Sequence, residues 1–175
     1  MSAINPAGIK HKDQPVSVGW SRLVGWCALA SGSVSIFGIA FLILFFVGLG
    51  FFGTLNDIMV AVQYTLMLPI ALWIGRRQKR PGESRSQLVM LVGFAGMLSV
   101  IALQAMLVLG MIPFSQQIGP VSGAFLVVLG WFLITGRTAR EDALLDSNVL
   151  LLIGAGLYVG YPFWAIRLAR RLLYI

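Results

Sequence analysis

Arg76-Arg77-Gln78-Lys79-Arg80-Pro81-Gly82-Glu83-Ser84-Arg85 is a short basic loop between two long apolar runs. It holds five of the thirteen Lys and Arg residues of the chain, namely Arg76, Arg77, Lys79, Arg80 and Arg85. Beside apolar spans, such a cluster stays on the cytoplasmic face of a membrane, meets lipid headgroups there and sets the orientation of its neighbours. The apolar runs on either side are what make it a membrane loop. No Asp, Glu, Lys or Arg occurs from Leu23 to Asn56, and none from Ser86 to Gly136. A single membrane-crossing helix needs about 20 apolar residues, so the second run accommodates two helices and a turn.

Composition points the same way. Apolar residues make up 58% of the 175 residues and charged residues 11%, against roughly 25% charged in a soluble domain. The net charge of +7 does not indicate nucleic-acid binding, because the basic residues flank apolar spans instead of forming a soluble basic face. Nucleic acid is therefore excluded as a partner. Cys27 is the only cysteine and His11 the only histidine, so no intrachain disulfide forms. Haem, zinc and copper sites lack their usual ligands, and no cofactor is expected.

Working outward, residues 1–18 are polar and read as a cytoplasmic tail, and residues 19–175 as one transmembrane helical domain. The expected spans are 23–47, 57–74, 88–112, 121–134 and 149–166. The fold class is thus an all-α integral membrane protein, a polytopic bundle of about five transmembrane helices. A short C-terminal amphipathic segment carries Arg167, Arg170 and Arg171 on one face. Asn56-Asp57 reads as the start of the second span. Pro69 predicts a kink within that span. Pro113 to Pro120 reads as the turn between the third and fourth spans. Trp73 and Trp131, towards the inner ends of their spans, read as interfacial.

Five crossings with the N-terminus inside place ten Lys and Arg residues in the cytoplasm and the three C-terminal arginines outside. Those outside arginines run against the scheme, and a fifth segment that does not fully cross would remove the conflict. The expected location is a cell membrane, with the bacterial inner membrane preferred.

Two groups of residues carry candidate function. Asn56, Asp57, Val60, Gln63 and Tyr64 share one face of the second span, and Gln104 is the polar residue of the third. Asn56, Asp57, Gln63, Tyr64 and Gln104 form either a polar path or a set of interhelical contacts, with Gln63 meeting Gln104. For Asp57 the competing reading is a helix cap at the outer interface. Gly25, Ala28, Ser31, Gly32, Ser35 and Gly38 form a small-residue stripe on the first span, and Gly156 and Gly160 a GxxxG pair on the fifth. Both allow close helix approach, within this chain or with another subunit.

No nucleophile lies beside a base, no carboxylates pair within a span and no phosphate loop is present, so the chain is not expected to be an enzyme. The expected role is a non-catalytic accessory or assembly subunit of a larger membrane complex, or a small homo-oligomer. Its partners are then the lipid bilayer and other membrane subunits or itself. The alternative is a small channel, transporter or lipid-handling protein using the polar face of the second span.

Overall fold

The computed structural model describes residues 18–77, 84–141 and 160–173. The regular elements among them are helices: α1 (Val18–Phe46), α2 (Phe51–Arg77), α3 (Ser84–Val108), α4 (Phe114–Glu141) and α5 (Gly160–Leu173). The first four are long and apolar enough to cross a membrane. The fifth expected span is described only from Gly160, where α5 begins. Its first part, with Gly156, lies outside the described residues, as do Lys79, Arg80 and most of the polar tail.

Glycine decides where the two tight turns fall. α1 ends at Phe46, and Gly48 follows with φ +102°. The Leu49 amide then donates to Leu44 O (3.2 Å) and the Gly48 amide to Phe45 O (3.0 Å). α3 ends in the same way: Gly110 has φ +70°, Met111 N–H reaches Met106 O (2.8 Å) and Gly110 N–H reaches Leu107 O (2.9 Å). Both are Schellman caps, which need a left-handed residue just past the helix and so favour glycine.

These caps correct two expectations. Asn56-Asp57 does not start α2. The glycine cap of α1 turns the chain so tightly that α2 begins at Phe51 and carries both residues in its second turn. Pro113 to Pro120 is likewise not the α3–α4 turn. The turn is residues 109–113, Pro113 O accepts from Gln116 and Gln117 N–H, and Pro120 lies inside α4. Pro120 is the seventh residue of α4, so Gln116 O has no helical N–H donor four residues on. Pro69 also lies inside α2, which continues without a break to Arg77.

Helices adjacent in sequence are adjacent in space: α1 packs on α2, α2 on α3, and α3 on α4. α5 also packs on α1. Aromatic rings close the bundle. Phe132 of α4 meets Tyr161 (6.0 Å) and Trp164 (5.7 Å) of α5, and Tyr64 of α2 meets Phe125 of α4 (5.8 Å). Edge-on and tilted ring pairs at these separations are favourable beyond their burial.

Met67, Ile70, Met97, Val100, Val128 and Tyr161 are almost fully enclosed within the bundle. Trp73 and Trp131 are buried as well, so their rings pack within the bundle. Trp26, at 60% exposure, is the tryptophan that faces outward.

Close approach at α3/α4 depends on Gly93 and Gly96. A Cβ on Gly93 would run into the Trp131 indole, and one on Gly96 would lie 3.0 Å from Val127 Cγ1 and Val128 Cγ2.

Candidate functional site

The small-residue stripe of α1 is divided between two neighbours. Gly25 lies against Leu172 and Leu173, and Gly32 against Pro162, Ala165 and Ile166, all of α5. Gly38 lies against Met59 and Asn56 of α2. Ala28, Ser31 and Ser35 are buried between these points. Small side chains let backbones approach closely, which is how helices associate where surrounding lipid removes any hydrophobic drive between them.

Ser31 fixes α5 by a directed bond. Its hydroxyl donates to Ala28 O (3.1 Å), which uses its one proton. The 2.7 Å contact with Tyr161 therefore has the phenol donating to Ser31 Oγ. Tyr161 was not among the residues singled out from sequence. A tyrosine beside Pro162 in an apolar run gives no local sign of its partner 130 residues away.

The polar face of α2 points inward. Asn56, Gln63 and Tyr64 are buried, and Asp57 is half-buried beside them. Asn56 Oδ1 is enclosed without a hydrogen-bond partner among the described residues, and it faces α1 at Gly38, 3.7 Å from where a Cβ would be. Ser35 lies one turn back along α1, and its Oγ is also enclosed and unpartnered among the described residues. This is unusual within the molecule. Ser33, Thr65 and Ser99 each donate to the carbonyl four residues earlier, at 3.0, 2.9 and 2.8 Å. Ser35 does not take that local option.

Gln104 is bonded to Gln117 of α4, and Gln63 is not its hydrogen-bond partner. Gln117 Nε2 donates to Gln104 Oε1 (3.0 Å) and lies 3.3 Å from Leu103 O. Both glutamines are buried. Gln117 escaped the sequence reading because it was assigned to the turn. The legible signal was a pair of amides, Gln116 and Gln117, just past Pro113 and ahead of a long apolar run.

Replacing Gln117 by leucine is expected to cost about 0.6 kcal/mol and at most about 1.7, the range for hydrogen bonds between membrane helices. Thermal melting in matched micelles, with Gln104→Leu and the double variant to complete the cycle, measures it. Equal loss in both singles and no further loss in the double would identify one shared bond.

At the opposite end of the bundle, the Arg76 guanidinium lies 5.4 Å from the centre of the Trp20 ring, a cation–π distance. Arg77 and Arg85 stand at the facing ends of α2 and α3.

An outward-facing groove of about 550 Å³ runs between α3 and α4. Ala95, Gly96, Ser99 and Ala102 form one wall, and Pro120, Ala124 and Val127 the other. Among the described residues, no three His, Cys, Asp or Glu side chains come together as a metal site would require. Comparison of the chain with protein-family models, with curated proteins and with solved structures found no match.

Proposed function

We propose that this protein is a non-catalytic accessory or assembly subunit of a larger membrane complex, or a small homo-oligomer, held in the membrane by α1–α4. The observation that carries the reading is the α3/α4 groove. This outward face keeps an open groove in which Ala95, Gly96, Ser99, Ala102 and Ala124 lie beside Val92, Leu103 and Val127. Such a face accepts a further helix closely, and van der Waals packing is then the main source of affinity.

Helix dimensions support the membrane placement. Asp57 to Arg76 on α2 and Arg85 to Gln104 on α3 each cover about 28 Å at 1.5 Å per residue. Gln117 to Arg137 on α4 covers about 30 Å. The hydrocarbon core of a bilayer is about 30 Å thick, so polar groups flank an apolar slab of matching depth on three helices. We place the arginine-bearing end in the cytoplasm by the positive-inside bias, with a bacterial inner membrane as the setting.

Mass measurement of the protein extracted gently from its own membrane tests the reading. A reproducible assembly or a defined homo-oligomer is the expected result, weakened by Ala95→Phe or Ala102→Phe in the groove. A monomer in both mild detergent and native nanodiscs would remove the basis for it.

One observation favours a second reading, a small channel or transporter. Asn56 Oδ1 and Ser35 Oγ lie unpartnered in the α1/α2 seam next to half-buried Asp57. An ionisable group beside two unpartnered oxygens, at the edge of the apolar slab, suits the mouth of a solute path. In that case Asp57→Asn abolishes or sharply reduces flux through liposomes containing the protein. Unchanged flux discards this reading.

A further inference from the structure

The pairing of α5 with α1 determines where the last three arginines lie. Gly25 of α1 faces Leu172 and Leu173, and Gly32 faces Pro162, Ala165 and Ile166. Numbers rise along one helix as they fall along the other, so α5 runs antiparallel to α1. α5 starts beside the middle of α1 and ends where α1 begins. The expectation that five crossings would leave Arg167, Arg170 and Arg171 at the opposite end is thereby corrected.

Three elements now bring exposed guanidiniums to one level. Arg22 is exposed near the start of α1. Arg76 is exposed and stacked on Trp20, two residues before Arg22. Arg170 is exposed on α5, two residues before the Leu172 that meets Gly25. Projected on the axis of α1, the three fall within about 10 Å, at 1.5 Å per residue.

Among the described residues, every charged residue except Asp57 and Arg167 stands at this end of its helix; Arg167 follows Ile166, which meets Gly32. α5 is also graded along its length. Phe163, near its start, is 64% exposed, and its arginines follow towards its end. That is the profile of a helix passing from an acyl layer into a headgroup layer.

We propose that this end of the bundle is a binding surface for anionic phospholipid headgroups, and that α5 returns to the membrane face from which α1 enters. A leaflet is the partner that fits, because the guanidiniums occupy a thin slab across the helix axes and not a pocket or a single helix face. The proposal does not depend on whether the protein is an accessory subunit.

The first test uses full-length protein in nanodiscs of phosphatidylcholine with and without phosphatidylglycerol. Lipids retained after detergent release are counted by native mass spectrometry. Wild type is expected to retain phosphatidylglycerol preferentially. Each of Arg22→Gln, Arg76→Gln and Arg170→Gln is expected to lower that preference roughly fivefold, while Lys at the same positions preserves it. Equal retention of both lipids by wild type, or glutamine variants that behave as wild type, would overturn the headgroup surface. An acidic protein partner would give that negative result.

The second test places single cysteines in a Cys27→Ser background in sealed vesicles, probed with an impermeant maleimide. Ile175→Cys is expected to react from the same side as Gly19→Cys and from the side opposite to Leu109→Cys. Reaction together with Leu109→Cys would overturn the return of α5.

Discussion

Gly93→Ala is expected to destabilise the bundle by about 1–3 kcal/mol, the cost of forcing extra atoms into a packed interior. The collision is with the Trp131 indole, and that ring has little freedom to yield. Trp131 is buried and pairs edge-on with Phe132 at 4.9 Å. Phe132 in turn meets Tyr161 and Trp164 of α5. A displaced indole therefore disturbs the α3/α4 contact and the closure of the bundle together.

Gly75 provides the control. A Cβ there also collides, but with the Met90 thioether, an unbranched chain with three rotatable bonds that can swing aside. Gly75→Ala is therefore expected to melt close to wild type, and Gly93→Ala well below it, in the same micelle. Trp131→Leu combined with Gly93→Ala should recover part of the loss relative to the sum of the single changes, because the two sites share one volume. Equal melting of the two alanine variants would show that the indole is not confined as described.

Tyr161→Ala is the second large effect. Its side chain is almost completely buried, donates to Ser31 and packs on Phe132 and Trp164. Truncating a buried aromatic costs about 3–5 kcal/mol in soluble cores. In the membrane setting proposed above, lipid would remove part of the transfer contribution and leave the packing contribution, so the lower part of that range is expected. Tyr161→Phe keeps the ring and loses the hydroxyl bond, for about 0.6 kcal/mol.

The loss should be local as well as global. α5 is attached mainly to α1, whereas α1–α4 retain their own contacts. Limited proteolysis of Tyr161→Ala should therefore cut after α4 before the rest of the bundle is attacked. Uniform cleavage throughout would show that α5 is not a separable unit.

Much of the architecture was legible because lipid-compatible helices announce themselves by composition. Uncharged stretches of the right length predicted all four long helices, and the helix type was never in doubt. Their ends were less legible. Asn-Asp and a proline-glutamine-glycine cluster are turn signals in a chain surrounded by water. Here the deciding residues were Gly48 and Gly110, whose left-handed backbone caps the preceding helix, and each moved a boundary by several residues.

The candidate site shows the same division. The inward face of α2 followed from helical periodicity, since one face of a helix repeats every three to four residues. Partners did not follow. Gln104 could have met any amide on a neighbouring helix, and only the α3/α4 register selects Gln117 over Gln63. Ser35 and Ser33 are equivalent in sequence, yet one bonds locally and the other is left facing a seam.

By itself, the sequence determined that this chain is helical, that four helices are long and apolar enough for a bilayer, and where charge is concentrated along it. Those properties are sums over local composition, and local composition is what a sequence records. Tertiary structure alone decided that α5 runs back along α1, that Tyr161 bonds to Ser31, and that Arg170 and Arg171 lie towards the end where α1 begins. These depend on contacts between residues far apart in the chain. They are selected by which surfaces fit closely, a property that no single segment carries.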